Sequence, residues 1–120
     1  MFPRNLVLGI VCPKGIPAEQ LEQVVGGVLA SKHLSRERVS AIFSEDSLAK
    51  EPAMMKLADR LDAAYFTYTE SQLDLAGKAD TLPCQRYAAL GSRNGKQLTQ
   101  CCQKSGMQVC IYEKKIELRF

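Results

Sequence analysis

Residues 5–11 end in Leu6-Val7-Leu8-Gly9-Ile10-Val11, an aliphatic run without polar alternation that stops at Cys12-Pro13-Lys14-Gly15. A strand covered on one face only alternates apolar and polar residues, so an unbroken run of this length points to a strand covered on both faces. Residues 17–32 read as a helix. Pro17 suits a first helical turn, Glu19 adds an acidic residue there, and Leu21, Val24, Val25, Val28 and Leu29 recur at i, i+3, i+4, i+7 and i+8. This helix is expected to end near Lys32, with Gly26 and Gly27 inside it tolerated where its backbone approaches a neighbour closely.

The same rhythm repeats down the chain. Residues 39–44 predict a second strand, and Glu51-Pro52 opens a helix carrying Met54, Leu57, Ala58 and Leu61 on one stripe. Residues 64–68 predict a third strand, and Thr69 with Gln72 forms a capping box for a short helix toward Leu75. A polar loop is expected at 76–81, a short helix at 83–90 ended by Gly91, and a helix at 96–104 stopped by Gly106. Residues 107–112 and 116–120 predict two closing strands. The expectation is an α/β chain, one three-layer domain over residues 1–120, with a mostly parallel sheet of about five strands covered by helices. There is no internal repeat.

Composition narrows the function classes. In 120 residues, 16 Lys plus Arg against 13 Asp plus Glu leave a net charge of +3 with no like-charge block, far from the balance of a nucleic-acid binder. The longest apolar runs, 6–12 and 24–30, fall well short of the roughly 20 residues needed to cross a bilayer. Pro13, Lys14 and Pro17 follow the first run and no small-residue cleavage site closes it, so a cytoplasmic chain is expected. The five cysteines, Cys12, Cys84, Cys101, Cys102 and Cys110, include no CxxC pair and read as reduced thiols. A metal would have to recruit the lone His33 and distant cysteines, so neither metal nor cofactor is expected.

In open α/β sheets ligands bind outside the carboxyl ends of the strands, which directs attention to residues 12–15, 44–47 and 69–70. The first of these joins a strand end, a glycine-bearing turn and a helix N-terminus, with Lys14 adding positive charge. The named phosphate motifs nevertheless fail: GxGxxG needs glycine where Val11 stands, and the P-loop needs Gly-Lys-Ser/Thr where Lys14-Gly15-Ile16 stand. A phosphatase-style loop would need arginine at the position of Ala18. Cys12 at a helix N-terminus beside a lysine has the setting of an activated thiol, but no base is in view. Ser44, Glu45, Asp46 and Ser47 with Glu51 place carboxylates at a strand end, either as acid and base or simply as helix caps.

The order of these residues resembles the cobalamin-biosynthesis family formed by CobE and the C-terminal domain of CbiG. Three blocks carry the resemblance: residues 8–15 with Glu19 and Leu21; Ser44, Asp46 and Glu51-Pro52 with Leu57-Ala58-Asp59-Arg60-Leu61; and residues 65–68 with Gln72-Leu73. Val11 replaces a glycine of the family pattern, Pro13 and Lys14 stand where paired arginines are usual, and Leu48 takes the place of a loop lysine. These departures deplete an anion site.

The resemblance implies a part in building the corrin ring, where longer relatives are linked to opening a precorrin lactone through a hydrolytic step in another domain. The expected role is an accessory domain, non-catalytic alone, that binds or hands on a corrin or precorrin intermediate. Cys12, Lys14, Gly15, Ser44, Asp46 and Glu51 are expected to line its cleft. Other cobalamin-pathway enzymes and a second copy of the chain are the candidate partners, with no nucleic acid and no membrane. Two alternatives stay open. One is a small hydrolase using Asp46 or Glu51 as base or Cys12 as nucleophile, acting if catalytic on a cobalt-precorrin-related substrate; the other is a degenerate interaction module without a small ligand.

Overall fold

The computed structural model describes residues 4–74, 82–93 and 95–114 of the chain. Its first half alternates strand and helix: β1 (Leu6–Val11), α1 (Ala18–Ser31), β2 (Val39–Glu45), α2 (Pro52–Leu61) and β3 (Ala64–Tyr68). The second half adds α3 (Glu70–Asp74), α4 (Pro83–Gly91), β4 (Lys96–Gln97), β5 (Cys102–Lys104) and β6 (Met107–Glu113). One sheet runs in the order β3-β2-β1-β6-β4, with β5 also paired to β6.

The run in β1 has the expected cause. Leu6, Leu8 and Ile10 join the core under α1 and α2, whereas Val7 and Val11 pack in the opposite layer, where Tyr87, Cys84 and Ala88 of α4 sit. Both faces are dry, so neither needs a polar residue. Gly9 faces α4, and a Cβ on it would collide with the Cys84 carbonyl and the Ala88 backbone nitrogen. The three layers are thus α1 with α2, the sheet, and α4.

The helices follow their apolar stripes. Leu21, Val25, Val28 and Leu29 of α1 and Met54, Leu57, Ala58 and Leu61 of α2 are buried. The capping box at the start of α3 forms, with the Thr69 N–H donating to Gln72 Oε1 at 2.8 Å and the Gln72 N–H to Thr69 Oγ1 at 3.3 Å. Among the described residues no helix is long and apolar enough to cross a membrane.

Several expectations are corrected. The sheet is mixed rather than mostly parallel, and among the described residues it has six strands where about five were expected: β1, β2 and β3 pair in parallel, but β6 is antiparallel to β1, and β4 and β5 are antiparallel to β6. The helix expected over 96–104 is instead two short strands and a connection along β6. Ser105 and Gly106 have φ of 55° and 78° between the paired residues Lys104 and Met107. Two positive φ values in a two-residue loop make a hairpin turn whose twist suits the flanking strands. The Gly106 signal thus ends a strand, not a helix. The connection is held by Thr99, whose Oγ1 accepts the Ile111 N–H at 2.9 Å, while the Leu98 N–H donates to the Ile111 carbonyl at 2.9 Å. This pairing fills the side of β6 that β1 leaves open, which a helix at 96–104 would have left unpaired.

The cysteines divide differently from the expected set of reduced thiols. Cys84 of α4 and Cys101 before β5 are paired in a disulfide, and Cys12, Cys102 and Cys110 are free. Sequence spacing could not disclose a partnership that depends on where α4 lies over the sheet edge. The expected strand at 116–120, the end of the third helix at Leu75 and the loop at 76–81 lie outside the described residues.

Candidate functional site

Adjacent parallel strands whose connections leave to opposite faces open a crevice at their carboxyl ends. In this sheet the pair is β2 and β3. The chain leaves β2 for α2 on one face, and leaves β3 through α3 for α4 on the other. A cavity of about 470 Å³ lies there, lined by Glu45 at the end of β2 with Asp46 and Ser47 just beyond it, Tyr68 at the end of β3 with Glu70 of α3, and Arg86 and Tyr87 of α4.

Each part is held by the local fold. Glu45 and Tyr68 are register partners across β2 and β3, and Thr67 Oγ1 donates to Asp46 Oδ1 at 3.0 Å, which bridges the two strand ends. The Tyr68 ring stacks on Phe43 with centroids 5.5 Å apart and planes within 9°. Tyr87 is almost fully buried, and its phenol is pushed up to about 12 by burial and then by the Glu45 and Glu70 carboxylates, against an opposing effect of Arg86. Burial also raises the Tyr68 phenol. Both phenols therefore stay protonated at neutral pH and can donate hydrogen bonds. Three carboxylates and one guanidinium give the cleft an acidic balance.

Beside the cleft lies a buried polar cluster. The Gly15 N–H donates to Glu51 Oε1 at 3.0 Å, the Tyr65 hydroxyl to the Leu48 carbonyl at 2.6 Å, and the Ser44 hydroxyl to the Ile10 carbonyl. The Cys12 thiol, 5% exposed, is pushed up to about 11 by burial first and then by Glu51 and Glu45. The Tyr65 phenol is raised too, by burial and then by the charges of Cys12, Glu51 and Glu45. Such a thiol is protonated at neutral pH and is a poor nucleophile.

The six residues expected to line one cleft are not all brought together. Asp46 lines the cleft. Cys12, Ser44 and Glu51 are buried in the neighbouring cluster, with Ser44 and Glu51 hydrogen-bonded to the backbone of the first strand and of the loop after it. Lys14 and Gly15 are exposed on the loop after β1, and the Gly15 amide is already donated to Glu51. Glu45 and Ser47 of the carboxylate cluster and Glu70 of the third strand end also line the cleft, and the cleft residues missed by sequence reasoning are Tyr68, Arg86 and Tyr87. The strand-end rule already pointed to residues 44–47 and 69–70. No local signal marks Arg86 or Tyr87, because α4 reaches the cleft only by crossing the sheet. Among the described residues no three His, Cys, Asp or Glu side chains are grouped to hold a metal ion.

The fold has close counterparts. The structure of CobE, "a protein from the cobalamin (vitamin B12) biosynthetic pathway", superposes with a TM-score of 0.77 at 22% identity, covering 95% of this chain and 93% of that one. The cobalamin biosynthesis protein chiG from Agrobacterium tumefaciens str. C58 gives 0.78 at 14% identity, covering 92% and 99%. A putative cobalamin biosynthesis protein G homolog from Sulfolobus solfataricus gives 0.71 at 18%; the match covers 92% of this chain but 37% of that longer one. Among curated proteins no relative matches. The family model described as "Cobalamin synthesis G C-terminus" matches residues 6–89, which run from β1 through most of α4 and include every residue of the cleft. With well over half of its length matched, this chain belongs to the cobalamin synthesis G C-terminus family.

Proposed function

We propose that this cobalamin-biosynthesis protein is an accessory, non-catalytic domain that binds a corrin or precorrin intermediate by one edge and hands it on, to a partner that opens the precorrin lactone. The observation that carries this reading is the cleft at the β2–β3 switch point, with Tyr68, Tyr87 and Arg86 gathered around about 470 Å³. Ligand sites of a few hundred Å³ with aromatic walls and a few polar groups are the common kind. A corrin precursor is a flat apolar ring fringed with carboxylates. The tyrosine walls suit the ring edge, and Arg86 with the two protonated phenols suits one carboxylate side chain. Glu45, Asp46 and Glu70 repel the others and so set which edge enters.

The buried, protonated Cys12 supports a role without nucleophilic chemistry. The length of the Sulfolobus relative supports a division of labour in which further chain accompanies this domain. The test is an absorbance titration of the purified protein with a carboxylate-rich corrinoid, beside Arg86→Gln and Tyr87→Phe. A saturable spectral shift is expected, weakened about tenfold by Arg86→Gln for the loss of one charge-assisted contact. No shift at high ligand excess overturns the reading.

A further inference from the structure

A second cavity, of about 490 Å³, lies on the other helical layer, between α1 and the β5 edge of the sheet. Val24, Gly27 and Val28 form its apolar helical wall, and Thr99 and Cys102 face them. Its charge is opposite to that of the β2–β3 cleft: Lys32 lines it from the α1 side and Lys104 from the strand side, and among the described residues no carboxylate lines it. Gln23 and Gln100 add side-chain amides.

Gly27 is the informative residue. Glycine weakens a helix interior, and it persists where something must approach the backbone closely. Its neighbour Gly26 has a contact within the chain, since a Cβ there would stand 2.8 Å from the flexible end of the Arg36 side chain and displace it. Gly27 has none: a Cβ there meets nothing within 4 Å, because the residue opens into the cavity. A flat molecule lying on the bare helix backbone supplies the missing reason.

We propose that this groove is a second ligand site, taking a small monoanionic carboxylate with a flat apolar body. The apolar wall and the bare Gly27 backbone take the body, and Lys32 and Lys104 attract the charge. A phosphate dianion fits less well. The cations are lysines without an arginine fork, and the carboxyl end of α1, where Ser31 and Lys32 line the groove, carries partial negative charge. The site is separate from the corrin reading of the β2–β3 cleft and stands without it.

The test uses 2-naphthoate as the probe, followed by amide NMR on the full chain. Saturable shifts are expected at Gly27, Val28, Thr99 and Cys102, with the probe also slowing alkylation of the half-buried, free Cys102 thiol. Lys32→Gln with Lys104→Gln should weaken binding about tenfold, and neutral 2-naphthamide should bind the native protein weakly by a similar factor. Gly27→Leu should block the site, and Gly27→Ala, for which the chain itself has room, should fold and weaken binding in the same direction. Shifts centred on Tyr68 and Tyr87, equal binding of the amide, tighter binding of 2-naphthyl phosphate, or no saturation in the millimolar range would each overturn the proposal.

Discussion

The backbone N–H of Gly15 donates to Oε1 of Glu51 at 3.0 Å, which ties the loop after β1 to the residue that precedes α2. Glu51 is 8% exposed, so its carboxylate is committed to shaping this loop rather than offered to solvent. Gly15 itself has φ of 78°, the left-handed region that the turn requires.

Removing the acceptor should therefore destabilise the fold. Glu51→Ala leaves a part-buried amide without its partner and is expected to cost about 0.5–1.5 kcal/mol in urea unfolding. Glu51→Gln, which retains an acceptor oxygen, should cost less. It should also bring the Cys12 thiol down from about 11, because Glu51 is the largest charge raising it. Equal losses from both substitutions would refute the role assigned to the hydrogen bond.

Cys12 makes stability depend on alkaline pH. Its thiol titrates at an ordinary 9.0 in the unfolded chain and at about 11 when folded, so between these values the folded state holds the proton more tightly. The contribution is fully present below pH 9 and is lost as pH rises through 11. Cys110, raised by burial to about 12, acts in the same direction. Urea midpoints should fall from pH 9 upward, less steeply in Cys12→Ser; identical slopes would contradict the assignment.

Two glycines should respond in opposite directions to the same substitution. Gly9→Ala drives a methyl into the Cys84 carbonyl and the backbone of α4, and is expected to cost about 1–3 kcal/mol as an overpacked core does. Gly27→Ala meets nothing within 4 Å and should raise stability by about 1 kcal/mol through helix propensity alone. Thermal unfolding of the two variants beside the native chain decides both.

The β5–β6 hairpin is open to a similar test. Gly106 stands at φ of 78°, so Gly106→Ala should cost about 1–2 kcal/mol from left-handed backbone strain. If residues 96–104 formed a helix ended by Gly106, loss of the hairpin turn would leave the amide exchange of Met107 and Val109 unchanged. In the observed fold that exchange should accelerate.

The β-α-β-α-β half was legible because its signals are local. Leu6 to Val11 alternate between two dry layers, and the stripes of α1 and α2 recur at helical spacing, so each element carries its own evidence in consecutive residues. The second half was less legible. Leu98, Cys101 and Cys102 sit at spacings compatible with a helix, yet residues 96–104 pair with β6, because an unpaired sheet edge offers hydrogen bonds that weak helical propensity cannot outweigh.

The site divides the same way. The sequence alone determined the strand ends where a ligand could sit, the family likeness in the blocks around Cys12, Ser44 and Tyr65, and the carboxylate Asp46 in the cleft. Only the tertiary structure decided that Ser44 and Glu51 are spent on backbone partners, that burial keeps Cys12 protonated, and that Tyr87 and Arg86 arrive from α4. The reason is physical: periodicity reports which face of an element is dry. Burial, hydrogen-bond partnership and electrostatic field depend on residues distant in the chain, such as Gly15 and Glu51, that become neighbours only when the layers close.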